Sequence, residues 1–142
     1  MSENQVGAVM VVGGGIAGMQ ASLDLADAGF KVYLVEPQPA IGGHMAQLDK
    51  TFPTNDCAMC IMAPKLVETG RHLNIQILTL SDLLGLEGAA GNFVARVRRR
   101  PRYVDMQKCT GCDDCSAKCP VTLPSQYDEG LAERKAIYRR YP

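Results

Sequence analysis

The stretch VMVVGGGIAGMQASL, residues 9–23, decides the fold. A short apolar run turns at once into glycines, and Gly13, Gly15 and Gly18 stand at GxGxxG spacing ahead of a helical segment. Between a strand and a helix, the first glycine permits a tight turn and the second lets backbone approach a pyrophosphate. The third permits close helix-to-strand packing. The amides at the helix start, from Ile16 and Ala17 to Gly18, are then free to meet phosphate oxygens, helped by the partial positive charge of the helix end.

Working outward, GAVMVV (7–12) reads as a buried parallel strand. The segment from Ile16 to Ala28, with a small or apolar row at Ala17, Ala21, Leu25 and Ala28, reads as a helix ended by Gly29. KVYLVE (31–36) reads as the next strand, so the three elements form a βαβ unit with a right-handed crossover. The expected fold is therefore α/β, a Rossmann-like nucleotide-binding domain. Glu36 ends the second strand, where its carboxylate can accept from an adenosine ribose, and its charge argues against a phosphorylated ribose. A ligand-free glycine turn is the bland alternative, and a strand-end glutamate is commonly just solvated.

Residues 37–64 hold four prolines, the Gly42–Gly43 pair and two cysteines, so a long irregular segment is expected, helical at most around Met45 to Asp49. Ala63 and Pro64 are expected to begin a helix through Val67 that Gly70 stops. NIQILTL (74–80) is a third strand candidate. LLGLEGAAGNFVARVRRR predicts two short antiparallel strands joined by EGAAGN, and Pro101 marks a boundary. EPQPAIGGHMAQ resembles the segment of two-dinucleotide-binding flavoproteins in which paired glycines follow the ribose acid and approach the flavin diphosphate. That resemblance points Gly42 and Gly43 toward FAD, a flexible turn being the other reading.

The stretch KCTGCDDCSAKCP (108–120) carries Cys109, Cys112, Cys115 and Cys119 before Pro120, the bacterial ferredoxin run. In two-cluster ferredoxins the fourth cysteine ligates the other cluster, so Cys119 calls for cysteines elsewhere. Zinc is the competing metal, but its motifs present two separated CxxC knuckles rather than three cysteines in tandem. Cys57 and Cys60, in FPTNDCAMCIMAPK, form a further CxxC with three open readings: a dithiol near a flavin, two ligands of a further cluster, or structural thiols.

Composition excludes other classes. The 142 residues are 46% hydrophobic and 21% charged, with 15 basic and 15 acidic side chains, so no global field favours nucleic acid. No apolar run nears the about 20 residues needed to span a bilayer, and MSENQ opens without a leader pattern, so a cytoplasmic chain without membrane insertion is expected. In that compartment six cysteines at clustered spacings point to metal or redox chemistry. His44 and His72 read first as structural, with cofactor contact the alternative for His44 beside Gly43; RVRRRPR (96–102) reads first as a solvated strand edge and linker, with contact to phosphates or an acidic partner the alternative. No acid–base constellation marks a catalytic residue, which weakens an NAD-dependent dehydrogenase.

With these residues assembled, the chain resembles the A-type flavin and iron-sulfur subunits of heterodisulfide reductases over nearly its whole length. VVGGGIAGMQASLDLADAG, KVYLVEPQPAIGGHMAQLDKTFPTNDCAMC, PKLVETGRH and PRYVDMQKCTGCDDCSAKCP match in order and spacing. Adenylylsulfate reductase-associated quinone-interacting oxidoreductases are similar in the same region. The resemblance implies a thioredoxin-reductase-like FAD domain, here residues 1–101, interrupted by a ferredoxin module whose first half is residues 102–142. It implies that Gly13, Gly15, Gly18, Glu36 and Gly43 serve FAD, and that Cys109, Cys112 and Cys115 hold a [4Fe-4S] cluster while Cys119 reaches toward a second. It also implies that Cys57 and Cys60 help bind an additional cluster near the flavin.

Family members continue through the second ferredoxin half and the rest of the FAD domain, so the resemblance implies an N-terminal piece that does not turn over substrate alone. Electrons would pass between flavin and clusters inside a complex whose other subunits supply missing ligands. A non-catalytic nucleotide- and metal-binding assembly module is the alternative from another class.

Overall fold

A computed structural model describes residues 7–140. The polar opening MSENQ and the outer ends of the expected domains lie outside the described residues. The chain divides into two units at Pro101, Met1–Pro101 and Arg102–Pro142.

The first unit is α/β. Strand β1 (Ala8–Val12), helix α1 (Ile16–Asp27) and strand β2 (Lys31–Val35) are followed, after two short strands and helix α2 (Ala58–Arg71), by β5 (Ile75–Leu78). The short strands are β3 (Lys50–Thr51) and β4 (Asp56–Cys57), paired antiparallel. The main sheet is parallel in the order β1-β2-β5, with Val9 opposite Val32 and Leu34 opposite Ile77. This is the strand order of a single mononucleotide-binding half. Its middle strand is the most buried, Val32, Leu34 and Val35 being almost fully enclosed, and Leu23, Ala26 and Ile75 complete the core.

The βαβ unit folds as expected, but α1 turns a different row inward. Met19, Ser22, Leu23 and Ala26 are buried, whereas Ala17, Ala21 and Ala28 are exposed. Rows of alanine carry little orientation signal, and burying Met19 and Leu23 removes far more apolar area from water.

Residues 37–64 are more regular than expected. A 3-10 turn spans Gly43–Gln47, and α2 begins at Ala58 rather than Ala63. Pro64 therefore sits inside the helix, and Gly70 does not stop it. Cys57 caps the earlier start, accepting the Cys60 amide, and burial of Ala58, Met62 and Thr69 along one side outweighs the local preference of proline and glycine for helix ends.

Strands β6 (Ser81–Ala89) and β7 (Asn92–Arg99) are longer than expected and joined by only Ala90 and Gly91. Their register puts Leu83 with Val97 and Leu86 with Ala95 on one face, and Asp82 with Arg98 on the other. The ribbon is thus amphipathic, with ion pairs of Arg96 to Glu87 and of Arg98 and Arg100 to Asp82. The amide of Ser81 donates to the Glu36 carbonyl, tying the ribbon to the end of β2.

The second unit contains a short helix α3 (Asp114–Lys118) and the antiparallel pair β8 (Thr122–Pro124) and β9 (Glu133–Lys135). Arg134 lies over the Tyr138 ring, 3.9 Å from its centroid, and Arg139 pairs with Asp113. No helix among the described residues is long and apolar enough to cross a membrane.

Candidate functional site

The site begins where β1 ends. The Gly13 amide continues the ladder by donating to the Val35 carbonyl at 2.8 Å, and Gly13 then turns with φ +101°, a conformation that favours glycine. Helix α1 starts immediately and so tightly that a Cβ on Gly18 would overlap the Gly13 carbonyl oxygen. The third glycine is needed for packing, as the motif requires. Gly15 caps α1 with no side-chain hydrogen bond, and its first turn carries no acidic residue. The amides of Ile16, Ala17 and Gly18 therefore lack helical partners at the positive end of a helix. A Cβ at Gly15 would meet nothing within 4 Å, so space lies open beside those amides.

The Gly42–Gly43 pair is folded onto this loop. The Gly42 amide donates to the Gly14 carbonyl at 2.7 Å, and a Cβ on Gly43 would stand 3.0 Å from the Gly15 Cα. Two glycine segments distant in sequence thus form one backbone cradle. Glu36 braces it from below: its carboxylate, 6% exposed, accepts the Gly14 amide at 2.6 Å and the Gln38 amide at 2.7 Å. Each oxygen keeps a second lone pair for a ribose hydroxyl. An uncapped helix start, an open side at Gly15 and a buried acid together fit a dinucleotide such as FAD.

Gly14 and Ile41 carry roles that the motif does not announce. Gly14 is gripped by Glu36 and Gly42, and a Cβ there would stand 2.7 Å from the Ile41 Cγ2. The only signal in the sequence is that Gly14 makes the motif a run of three glycines. Ile41 carries none.

The cysteines divide into two sets. Cys57 and Cys60 are brought together with Cα atoms 5.2 Å apart and their sulfurs bonded, at the exposed start of α2. That helix packs against the 3-10 turn that follows the Gly42–Gly43 pair, and the Ala58 amide donates to the Asp49 carbonyl.

Cys109, Cys112 and Cys115 are exposed and Cys119 is half-buried, all four as free thiols. Among the described residues no three His, Cys, Asp or Glu side chains are grouped to hold a metal ion. The donor set, four thiols and no nitrogen, still has the chemistry of an iron-sulfur cluster. Backbone hydrogen bonding from Ile137, then from Val121 and Ala136, with the Lys135 charge, holds the Cys119 thiol below its ordinary value against the opposing effect of burial.

The remaining candidates lie elsewhere. His44 is exposed and its Nδ1 meets the Gln47 Oε1 at 3.0 Å. His72 ends α2, its Nδ1 accepting the Asn74 amide and its Nε2 lying 3.1 Å from Asp27. The arginine run begins within β7 and continues past its end, and Arg96, Arg98 and Arg100 pair with Glu87 and Asp82 of β6.

Comparison with known proteins accords with this geometry. An A-type iron-sulfur subunit of the CoB–CoM heterodisulfide reductase of Methanopyrus kandleri is 54% identical over 94% of this chain. The A-type subunit of an H2:CoB–CoM heterodisulfide, ferredoxin reductase from Methanothermobacter marburgensis is 51% identical over 94% of it. The chain spans 20% of the length of each. Among solved structures, L-proline dehydrogenase from P. horikoshii aligns with 68% of this chain and 20% of its own, at a TM-score of 0.53 and 26% identity. Residues 8–134 match the FAD dependent oxidoreductase family. With a match over most of its length, the chain belongs to the FAD dependent oxidoreductases.

Proposed function

We propose that this chain is part of an electron-transferring flavin and iron-sulfur subunit of a heterodisulfide-reductase-like complex. The observation that carries it is the Gly43 backbone folded against Gly15 at an uncapped helix start. The identity to A-type iron-sulfur subunits supports it. Residues 1–101 would be the FAD-binding part and residues 102–142 the first half of a ferredoxin-type module.

In this reading the Ile16, Ala17 and Gly18 amides, with Gly13 and Gly15 allowing close approach, hold the diphosphate of FAD. Glu36 orients the adenosine ribose while bracing Gly14, and Gly42 and Gly43 close the cradle and keep water from its floor. Cys109, Cys112 and Cys115 hold one [4Fe-4S] cluster, and Cys119 serves a second. FAD supplies two-electron chemistry that it can divide into single electrons, and clusters carry those singly. Other subunits supply the remaining ligands, the electron donor and the acceptor. The cytoplasm suits such a chain, because exposed free thiols persist in a reducing compartment.

A second reading is favoured by the ungrouped sulfurs of the cysteine run: an assembly module whose metal is completed only on contact with another chain. Anaerobic reconstitution with FAD, iron and sulfide, followed by optical and EPR spectra, tests both. Flavin bands with a reducible cluster support electron transfer. Absence of both, alone and with partner subunits, overturns it, and bound metal that no donor reduces favours the assembly module.

A further inference from the structure

We propose that Arg100 is a positioning residue for the cofactor site, acting on Glu36 through the peptide that follows it. The proposal rests on the FAD reading above for what Glu36 meets. The segment leaving β2 is held from the base of the β6–β7 ribbon through three consecutive carbonyls. The Glu36 carbonyl accepts the Ser81 amide at 3.0 Å, the Pro37 carbonyl accepts Nη2 of Arg100, and the Gln38 carbonyl accepts the Leu80 amide at 3.0 Å. Arg100 is the one side chain among these three donors. Its backbone joins the same network, the Arg100 amide donating to the Leu80 carbonyl at 2.7 Å. Leu80 stands between these bonds at φ +53°, a left-handed conformation that is costly for a residue with a Cβ and persists where its surroundings over-determine it.

The Pro37 carbonyl and the Gln38 N–H belong to one planar peptide, and in a trans peptide they point to opposite sides. Arg100 grips the oxygen side, and the amide side donates to the Glu36 Oε1 at 2.7 Å. Pro37 has no N–H of its own with which to fix this segment. Holding its oxygen therefore aims the Gln38 amide. That amide fixes one carboxylate oxygen while the Gly14 amide, at 2.6 Å, fixes the other. Glu36 is buried, so these bonds rather than water set its orientation.

The guanidinium is itself aimed. Its Nε lies 3.2 Å from the Asp82 Oδ2, so one rigid fork meets Asp82 through Nε and Pro37 through Nη2. A lysine ammonium on its flexible stem does not reproduce that geometry. Arg98 shares the same Asp82 oxygen at 3.1 Å, and among the described residues its side chain bonds nothing in the segment after Glu36. The two arginines thus carry the same ion pair but different connections to the site.

Amide hydrogen exchange of the full chain, read residue by residue by NMR, tests the positioning without cofactor. Arg100→Gln should speed exchange at Gly14 and Gln38 about tenfold, as a local opening does. Val32, whose amide bonds the Asn74 carbonyl near the other end of β2, should keep its parent rate. Arg100→Lys should shift Gly14 and Gln38 in the same direction, and Arg98→Gln should leave both unchanged. FAD titrated into Arg100→Gln should bind about tenfold more weakly than to the parent chain, and to Arg98→Gln as to the parent. Parent-like exchange at Gly14 in both Arg100 variants overturns the proposal. So does equal acceleration in Arg98→Gln or at Val32, which would mark a general loss of ribbon or global stability. A parent chain that takes up no FAD counts against the cofactor reading alone, because the exchange rates still decide whether Arg100 sets Glu36.

Discussion

The buried Glu36 carboxylate holds the Gly14 amide at 2.6 Å, so the acid at the end of β2 builds the floor of the glycine cradle. Its other oxygen accepts from Gln38, which fixes the chain leaving the sheet. Glu36→Gln keeps the shape but offers one acceptor oxygen to two backbone donors. The substitution should cost about 1–3 kcal/mol, the penalty of a buried donor left unpaired. Thermal unfolding checks this, and an unchanged midpoint would show that the amides find other partners.

Gly15 and Gly18 should separate binding from folding. A Cβ on Gly18 overlaps the Gly13 carbonyl oxygen, so Gly18→Ala should destabilise by roughly 3 kcal/mol, through backbone displacement. A Cβ on Gly15 meets no protein atom within 4 Å, so Gly15→Ala should unfold near the parent temperature. It should nonetheless bind FAD roughly tenfold more weakly, about 1.4 kcal/mol, because the methyl occupies the approach to the helix amides. Parallel melts and flavin titrations of the two variants test the contrast.

Asp82 is shared by Arg98 at 3.1 Å and Arg100 at 3.2 Å on one face of the β6–β7 ribbon. Asp82→Asn should lower stability by up to about 1 kcal/mol, the scale of exposed pairs. The difference should shrink when melts are repeated in molar salt, where charges this exposed are screened. A salt-independent loss would point instead to packing.

Cys119 should react with iodoacetamide at lower pH in the folded, metal-free chain than in the urea-unfolded chain. The Ile137 backbone, with Val121, Ala136 and Lys135, favours its thiolate. The sign follows from the depressed folded-state value. The thiolate supports the folded unit fully above the unfolded-state value, and that support fades as pH falls through the folded-state value. Coincident alkylation profiles for folded and unfolded chain would refute it.

Much of the site is legible in the residue order. The strand, GxGxxG turn and helix are local patterns, and each is enforced by neighbours in the chain: the turn at Gly13 and the helix start at Gly15. The start of α2 is not legible, because Pro64 is a strong local signal for a helix beginning, and burial of Ala58 and Met62 overrides it. The inward row of α1 is hidden for a related reason, since alanines at Ala17 and Ala21 say nothing about which side meets the sheet.

From residue order alone come the βαβ unit, the candidate phosphate loop, the acid at the end of β2 and the two cysteine sets, because each is a pattern of near neighbours or fixed spacings. Tertiary structure alone decides that Gly42 bonds Gly14, that Ile41 lies over Gly14, and that Cys57 meets Cys60, while among the described residues no three of the later sulfurs are grouped. The glycine contacts join segments far apart in the chain, and the thiol pairing depends on how one helix start is packed. Local patterns specify which element a residue joins, but not which distant backbone will be pressed against it.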